Sequence, residues 1–326
     1  MITTSELEAS YGAMDRLTSA ISETIVGHDQ VVRQTLITML CGGNILLEGV
    51  PGLGKTLLVR TIASALSLRF SRIQFTPDLM PADIVGTDII TQDESSRRFT
   101  FSPGPIFANL VLADEINRAT PKTQSALLEA MEERTVTVGK ETYRLEEPFI
   151  VLATQNPIEM EGTYPLPEAQ VDRFLLKTSL GTPSLDELVE ITRRNTEGEL
   201  QLPSPVASGE EVMICRRAVR DLPIGSELRR YVSRLVLATH PESEYAPNDV
   251  REYVEYGASP RGAIAVILAA KANAFLSKEP NVRRADIEAV FHPALNHRII
   301  RNFKGDAEGI SVESLLKSVW EKTAVT

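Results

Sequence analysis

The stretch Gly49–Thr56, GVPGLGKT, constrains what this chain can fold into more than any other. Gly49, Gly54, Lys55 and Thr56 occupy the fixed positions of the phosphate-loop pattern G-x-x-x-x-G-K-[ST]. An apolar, strand-like run, Ile45-Leu46-Leu47, precedes it, and a helix-like run from Leu57 to Leu66 follows. A strand, a glycine turn and a new helix are the context in which backbone N–H groups converge on phosphate oxygens. Lys55 then supplies a mobile charge for the terminal phosphates, and the Thr56 hydroxyl can hold Mg²⁺. A chance glycine turn would share the residues but not the flanking elements. The reading is nucleotide binding, with the loop residues Gly49, Val50, Pro51, Gly52, Leu53, Gly54, Lys55, Thr56 and Leu57 around the phosphates.

The rest of the chain must supply a sheet for that strand. With 326 residues, 43% of them hydrophobic, it can bury a sizeable core and two domains. Further apolar runs at Phe70–Phe75, Asn109–Ala113, Phe149–Thr154 and Phe174–Leu176 alternate with helical patterns. Continuous apolar strands between helices indicate a parallel sheet covered on both faces. An amphipathic helix over residues 5–23 precedes them, with Leu7, Met14, Leu17 and Ile21 on one side. A second helix follows, with Asp29 as its N-cap and Gly42-Gly43 as its stop. Two hairpins interrupt the pattern. One pairs Thr87–Thr91 with Arg98–Phe101 around the polar tip 93–96, and the other pairs Thr135–Val138 with Thr142–Leu145.

After Gly181-Thr182-Pro183 the texture turns to helices only, and a boundary near Thr182 divides the chain into 1–182 and 183–326. Ser184-x-x-Glu187 and Ser208-x-x-Glu211 fit capping boxes. Helical patterns run through Leu228–Leu237, Arg261–Phe275, Ala285–Phe291 and Val312–Trp320, and Pro241–Tyr253 reads as a loop.

Composition excludes several classes. A net charge of −10 opposes broad nucleic-acid binding, which needs clustered Lys and Arg. Cys41 and Cys215 have no partners at metal spacing and read as small buried hydrophobes in a reducing compartment. The four histidines show no zinc spacing. MITTSELEAS is not a signal peptide, and the apolar run Ala263–Ala270 is too short to span a bilayer, so a cytoplasmic protein is expected.

Five further positions carry chemistry. Asp114 and Glu115 close the apolar strand 109–113, where carboxylates face the ligand crevice of an α/β sheet. Asp114 would hold Mg²⁺ through water, and Glu115 would orient and deprotonate the attacking water. Asn156 ends the next strand and could hold that water or the γ-phosphate, although Asn-Pro is also a common turn. Arg173, in Asp172-Arg173-Phe174 at the start of the last strand, suits a developing phosphate charge or a salt bridge to a nearby carboxylate. Arg261 sits in the first turn of a helix with Ser259 as N-cap and Pro260 at N1. A cation there opposes the helix dipole, so it either meets an anion or snorkels to solvent.

Taken in order, GVPGLGKT, LVLADEINRA, LATQNP, GTYPLPEAQVDRF and GASPRG resemble the MoxR family of AAA+ ATPases, from Ile25 to about Phe291. The resemblance implies an α/β P-loop core with a five-stranded parallel sheet in the order 5-1-4-3-2, followed by a small all-helical lid. It makes the hairpins at 87–101 and 135–148 the helix-2 insert and the hairpin before the first sensor. It implies Walker A roles for Lys55 and Thr56, Walker B roles for Asp114 and Glu115, sensor 1 at Asn156, the arginine finger at Arg173 and sensor 2 at Arg261. Val26 and Gly27 fall where the family contacts adenine, and Arg118 and Arg134 are alternative interface arginines. The cofactors implied are ATP/ADP and Mg²⁺. The partners implied are a hexameric ring of identical chains, a protein with a von Willebrand factor A domain and a client protein, with no nucleic acid and no membrane span. Whether Arg261 serves its own or a neighbour's nucleotide stays open. The same core would also serve the motor subunit of a metal chelatase, a nucleic-acid-directed motor or a nucleotide-switched scaffold.

Overall fold

The computed structural model describes residues 3–93, 96–156, 162–197 and 201–323. Two helices, α1 (Thr4–Thr24) and α2 (Asp29–Cys41), lead into β1 (Ile45–Glu48). Then come α3 (Lys55–Ala65), β2 (Phe70–Gln74), the helical turn α4 (Pro81–Val85) and the hairpin β3 (Gly86–Asp93) and β4 (Ser96–Pro103). They are followed by β5 (Leu110–Asp114), α5 (Pro121–Glu133), the hairpin β6 (Thr135–Val138) and β7 (Glu141–Arg144), β8 (Ile150–Gln155), α6 (Glu168–Val171) and β9 (Leu176–Ser179). The remainder is helical: α7 (Leu185–Thr196), α8 (Gly209–Asp221), α9 (Ser226–Leu237) and α10 (Asn248–Tyr253). After the short strand β10 (Val254–Tyr256) come α11 (Pro260–Leu276) and α12 (Arg284–Leu295). After β11 (Ile300–Arg301) come α13 (Phe303–Ala307) and α14 (Val312–Lys322).

The five core strands are parallel and ordered β2-β5-β8-β1-β9. Numbered in sequence order and read from the β9 edge, that is 5-1-4-3-2. Side chains alternate across the sheet, as a period of two requires. Ile45, Leu47, Leu110, Leu112, Ile150 and Leu152 enter one buried cluster; Leu46, Val111, Ala113, Val151 and Ala153 enter the other. The first cluster is continuous from α1, α2 and α3 through α8, α9, α11 and α12, so the N-terminal helices bury their apolar faces against helices beyond residue 182. The second lies under α5 and the roots of the two hairpins. The hairpins touch through Phe101, which stacks on Tyr143 with ring centroids 4.1 Å apart.

Both capping boxes form, at Ser184–Glu187 and Ser208–Glu211. Ser259 caps α11, with Pro260 in its first turn. Gly42, at φ 67°, ends α2. Several expectations are corrected. Asp29 is the first helical residue rather than the cap; His28, in the left-handed region, precedes it. The last strand begins at Leu176, so Arg173 lies in the turn after α6. Pro241–Tyr253 is not all loop, because Asn248–Tyr253 forms α10. The helical region also contains the two-stranded antiparallel ladder β10–β11. Of the positions read from sequence, the hairpin tip residues Glu94 and Ser95, and Pro157 after Asn156, lie outside the described residues.

Candidate nucleotide site

β5 lies between β2 and β8, and β8 lies between β5 and β1. The turns at their C-terminal ends therefore fall side by side. The phosphate loop leaves β1, Asp114 ends β5, and Asn156 follows β8 next to both. Gly49, Gly52, Gly54, Lys55, Thr56, Asp114, Glu115 and Asn156 line one cavity of about 470 Å³. The Gly49 N–H donates to the Gln155 carbonyl at 3.2 Å, which ties the loop to β8. Gly52 and Gly54 take φ of 86° and 79°, a region costly for a residue with a Cβ. Gly54 stands at the N-terminus of α3, whose free N–H groups point toward an incoming anion. The Lys55 ammonium donates to the Gly49 carbonyl. Burial lowers its pKa from the ordinary value, while Asp114 and Glu115 pull it up.

The two carboxylates are held from several sides. Thr154 Oγ1 donates to Asp114 Oδ1 at 2.6 Å and accepts the Glu115 N–H at 2.8 Å. Arg72 donates to Asp114 Oδ2 from Nη2 at 2.6 Å and from Nε at 3.1 Å. Gln74 Nε2 and Arg118 Nη1 donate to Glu115 Oε2 at 2.7 and 2.8 Å. Glu115 adopts φ 57°, an uncommon conformation for a residue with a side chain and one that concentrates at functional sites.

Beside the loop is a second, mostly apolar cavity of about 460 Å³. It shares Gly52, Gly54 and Leu57 with the first and is lined by Val26, Leu53, Leu180, Leu188 and Ile191. Its position and lining suit a flat heterocycle attached to phosphates in the first cavity. Gly27 does not line it. It has φ 70°, and a Cβ there would come within 2.5 Å of Glu187 Oε1. Pro51 lines the phosphate cavity, and Val50 lines neither.

Arg173 and Arg261 are brought together, but away from the phosphate loop. Both pair with Glu132 near the end of α5: Arg173 Nη2 with Oε2 at 3.1 Å, and Arg261 Nη2 with Oε1 at 2.6 Å. They line a separate cavity of about 230 Å³ with Met131, Asp172 and Ile264. Arg134 is a different case. It follows α5, donates to the carbonyls of Phe149, just before β8, and Gly42, just after α2, and lies over the Phe149 ring, so it ties these element ends together within the chain. It is not a free interface arginine.

Residues 44–176 match the ATPase family associated with various cellular activities (AAA), and residues 247–319 match the AAA lid domain. The chain is 42% identical over 319 residues to the chaperone MoxR1 of Mycobacterium tuberculosis, covering 98% of this chain and 84% of that relative. The chain belongs to the MoxR family of AAA+ ATPases. The MoxR protein of Paracoccus denitrificans is 31% identical over 300 residues, 86% of each chain. A crystal structure from Cytophaga hutchinsonii, provisionally assigned as an ATPase, has the same fold. Its TM-score is 0.93 at 41% identity, covering 99% of this chain and 97% of that one.

Four partners of this MoxR-family site were not singled out from sequence: Arg72, Gln74, Thr154 and Glu132. Arg72 and Gln74 look like ordinary polar positions of an edge strand. Only the pairing of β2 with β5, which sets Gln74 beside Asp114, gives them a role. Their spacing of two, on the face opposite Ile73, was the available signal.

Proposed function

We propose that this MoxR-family ATPase hydrolyses ATP at the Gly49–Thr56 loop and uses the energy to remodel or mature partner proteins. In this reading, residues 1–182 form the nucleotide-binding core and 183–326 the lid. The observation that carries it is the division of the site residues. Lys55, Thr56, Asp114, Glu115 and Asn156 share the phosphate cavity, whereas Arg173 and Arg261 converge on Glu132 elsewhere. The phosphate cavity is lined by Arg60 and by Arg72, which is paired with Asp114, but by neither Arg173 nor Arg261, and that arrangement fits a site completed by a neighbouring copy. A closed ring, a hexamer for this family, gives every cavity such a neighbour.

Lys55 and the loop N–H groups would hold the β- and γ-phosphates, with Val26 and Leu53 against the adenine and Gly27 beside it. Glu115 would take the proton of the attacking water, with Asn156 orienting that water or the γ-phosphate. Arg173, with Arg261, would meet the developing charge from the adjacent subunit. The residues present also fit Mg²⁺: Asp114 already holds a cationic group, the Arg72 guanidinium, and the Thr56 hydroxyl lines the same cavity. Thr56 and Asp114 would hold the metal, which when bound would neutralise charge on the phosphates. We further propose a cytoplasmic location and a partner carrying a von Willebrand factor A domain. Among the described residues no helix is long and apolar enough to cross a membrane.

The test is phosphate release in Mg²⁺ buffer. Glu115→Gln should bind ATP with unchanged affinity and lose turnover, while Arg173→Ala alone should keep only a small residual rate. Mixing the two should restore part of the activity, since a Glu115→Gln subunit can lend its Arg173 to an Arg173→Ala neighbour. Turnover by Glu115→Gln, or no rescue in mixed rings shown to contain both chains, would overturn the reading.

A further inference from the structure

The turn carrying Arg173 is gripped mainly by one buried side chain from just beyond the end of α12, with His297 Nε2 also 3.0 Å from the Phe174 carbonyl. Arg298, 3% exposed at its side chain, uses all five of its N–H donors. Nε donates to Asp172 Oδ1 at 2.6 Å. Nη2 donates to the carbonyls of Asp172 at 2.9 Å and Phe174 at 2.6 Å. Nη1 donates to the Leu175 carbonyl at 3.3 Å and to the Ala294 carbonyl. Four of the five bonds therefore go to residues 172–175, on either side of Arg173. The other carboxylate oxygen of Asp172 accepts from Ser259 Oγ at 3.0 Å. Ser259 is the N-cap of α11, and its Oγ also accepts the Arg261 N–H at 3.2 Å. Asp172 thus joins the turn that bears Arg173 to the helix start that bears Arg261, with Arg298 fixing both the carboxylate and the turn backbone.

We propose that Asp172, Arg298 and Ser259 form a latch that makes Arg173 and Arg261 one rigid unit, offered together to a single anion. The proposal rests on the reading that Arg173 completes a neighbour's site. The shared contact with Glu132 shows that the two guanidiniums can meet one carboxylate at the same time. Without the latch, the Arg173 turn and the first turn of α11 are separate segments, each free to shift. A displacement of about 1 Å at such a group lowers a rate by on the order of a hundredfold. Only a planar guanidinium can serve this turn: a lysine at position 298 keeps the charge but has three donors and no fork. The three residues are positioning residues and touch no phosphate themselves.

The test compares Asp172→Asn, Arg298→Lys and Ser259→Gly with Arg173→Ala in the full-length assembled protein. Ser259→Gly keeps an acceptable N-cap residue while removing both Oγ bonds, the one to Asp172 and the one from the Arg261 N–H, so it breaks the latch at a half-buried position and serves if the buried variants fail to fold. Asp172→Asn should lower kcat by about tenfold or more, leave the ATP Kd within about twofold, and be rescued by Glu115→Gln subunits as Arg173→Ala is. In the double variant Asp172→Asn/Arg173→Ala, the loss should equal that of Arg173→Ala alone, because a latch has nothing to position once the arginine is gone. A merely structural role would lower the melting temperature and multiply with Arg173→Ala. A nearly inactive Arg173→Ala beside a fully active Asp172→Asn and Ser259→Gly overturns the latch alone. A fully active Arg173→Ala overturns the intersubunit reading and the latch with it.

Discussion

Thr154→Val tests how the two acidic residues are held. Thr154 is 1% exposed and makes both hydrogen bonds through its one hydroxyl: to Asp114 Oδ1 at 2.6 Å and from the Glu115 N–H at 2.8 Å. Valine nearly matches threonine in shape, so the change removes the hydroxyl with little new space. It leaves a part-buried N–H without this acceptor and a carboxylate oxygen without this donor, at about 1–3 kcal/mol for each orphaned group. Added burial of a methyl group offsets part of that, so the net loss of stability should be about 2 kcal/mol. The effect on rate follows from Glu115, whose left-handed backbone carries about 1–3 kcal/mol of strain and is held through that N–H. Relaxation would turn the carboxylate away from the phosphate cavity. If 1.4–2.8 kcal/mol of the positioning is lost, kcat falls about ten- to a hundredfold. Steady-state phosphate release at saturating Mg·ATP gives kcat, and urea unfolding gives the stability change. Thr154→Ser, which keeps the hydroxyl, should recover most of the rate. A Thr154→Val protein destabilised as expected but turning over within about threefold of wild type would refute the link from this hydroxyl to catalysis.

Further outcomes follow from groups outside the site. Arg134→Met removes the donor to the Phe149 and Gly42 carbonyls and should destabilise the fold by about 2–4 kcal/mol. Mixing with Glu115→Gln subunits should not rescue it beyond what its folded fraction allows, and rescue like that of Arg173→Ala would return Arg134 to the interface. Burial pushes the Cys215 thiol up to about 11, so iodoacetamide at pH 8 should label Cys215 only after denaturant is added. Labelling of the native protein at the rate of a peptide thiol would contradict its burial. Chelation of Mg²⁺ should abolish phosphate release and leave unfolding in urea unchanged, since no described group of acidic, cysteine or histidine side chains forms a structural metal site.

Much of the architecture is local information and was legible in the residues. The strand–loop–helix at 45–66, the apolar strands ending in Asp114-Glu115 and Gln155-Asn156, and both serine capping boxes depend on neighbours within a few positions. Errors came where a neighbour in space decides. His28 takes the left-handed position that ends the turn, so Asp29 becomes helical. The last strand starts at Leu176 because its pairing with Ile45 of β1 starts there, three residues after Arg173. Asn248–Tyr253 is too short to show a helical period and forms a helix with Val250 buried in the tertiary core.

By itself the sequence pointed to a phosphate-binding loop, to the strand-end carboxylates and amide beside it, and to a parallel sheet. Those properties follow from backbone geometry and side-chain period, which a linear motif encodes. Only the tertiary structure decided that Arg72 and Gln74 face the two carboxylates, because strand order and register are set by packing both faces of the sheet. Only it decided that Arg173 and Arg261, 88 positions apart in the numbering, meet at Glu132 rather than at their own phosphate loop. The turn that bears Arg173 is held there by the buried Arg298 guanidinium, whose five donors are satisfied by residues 172–175 and Ala294, two segments far apart in sequence that only the fold brings together.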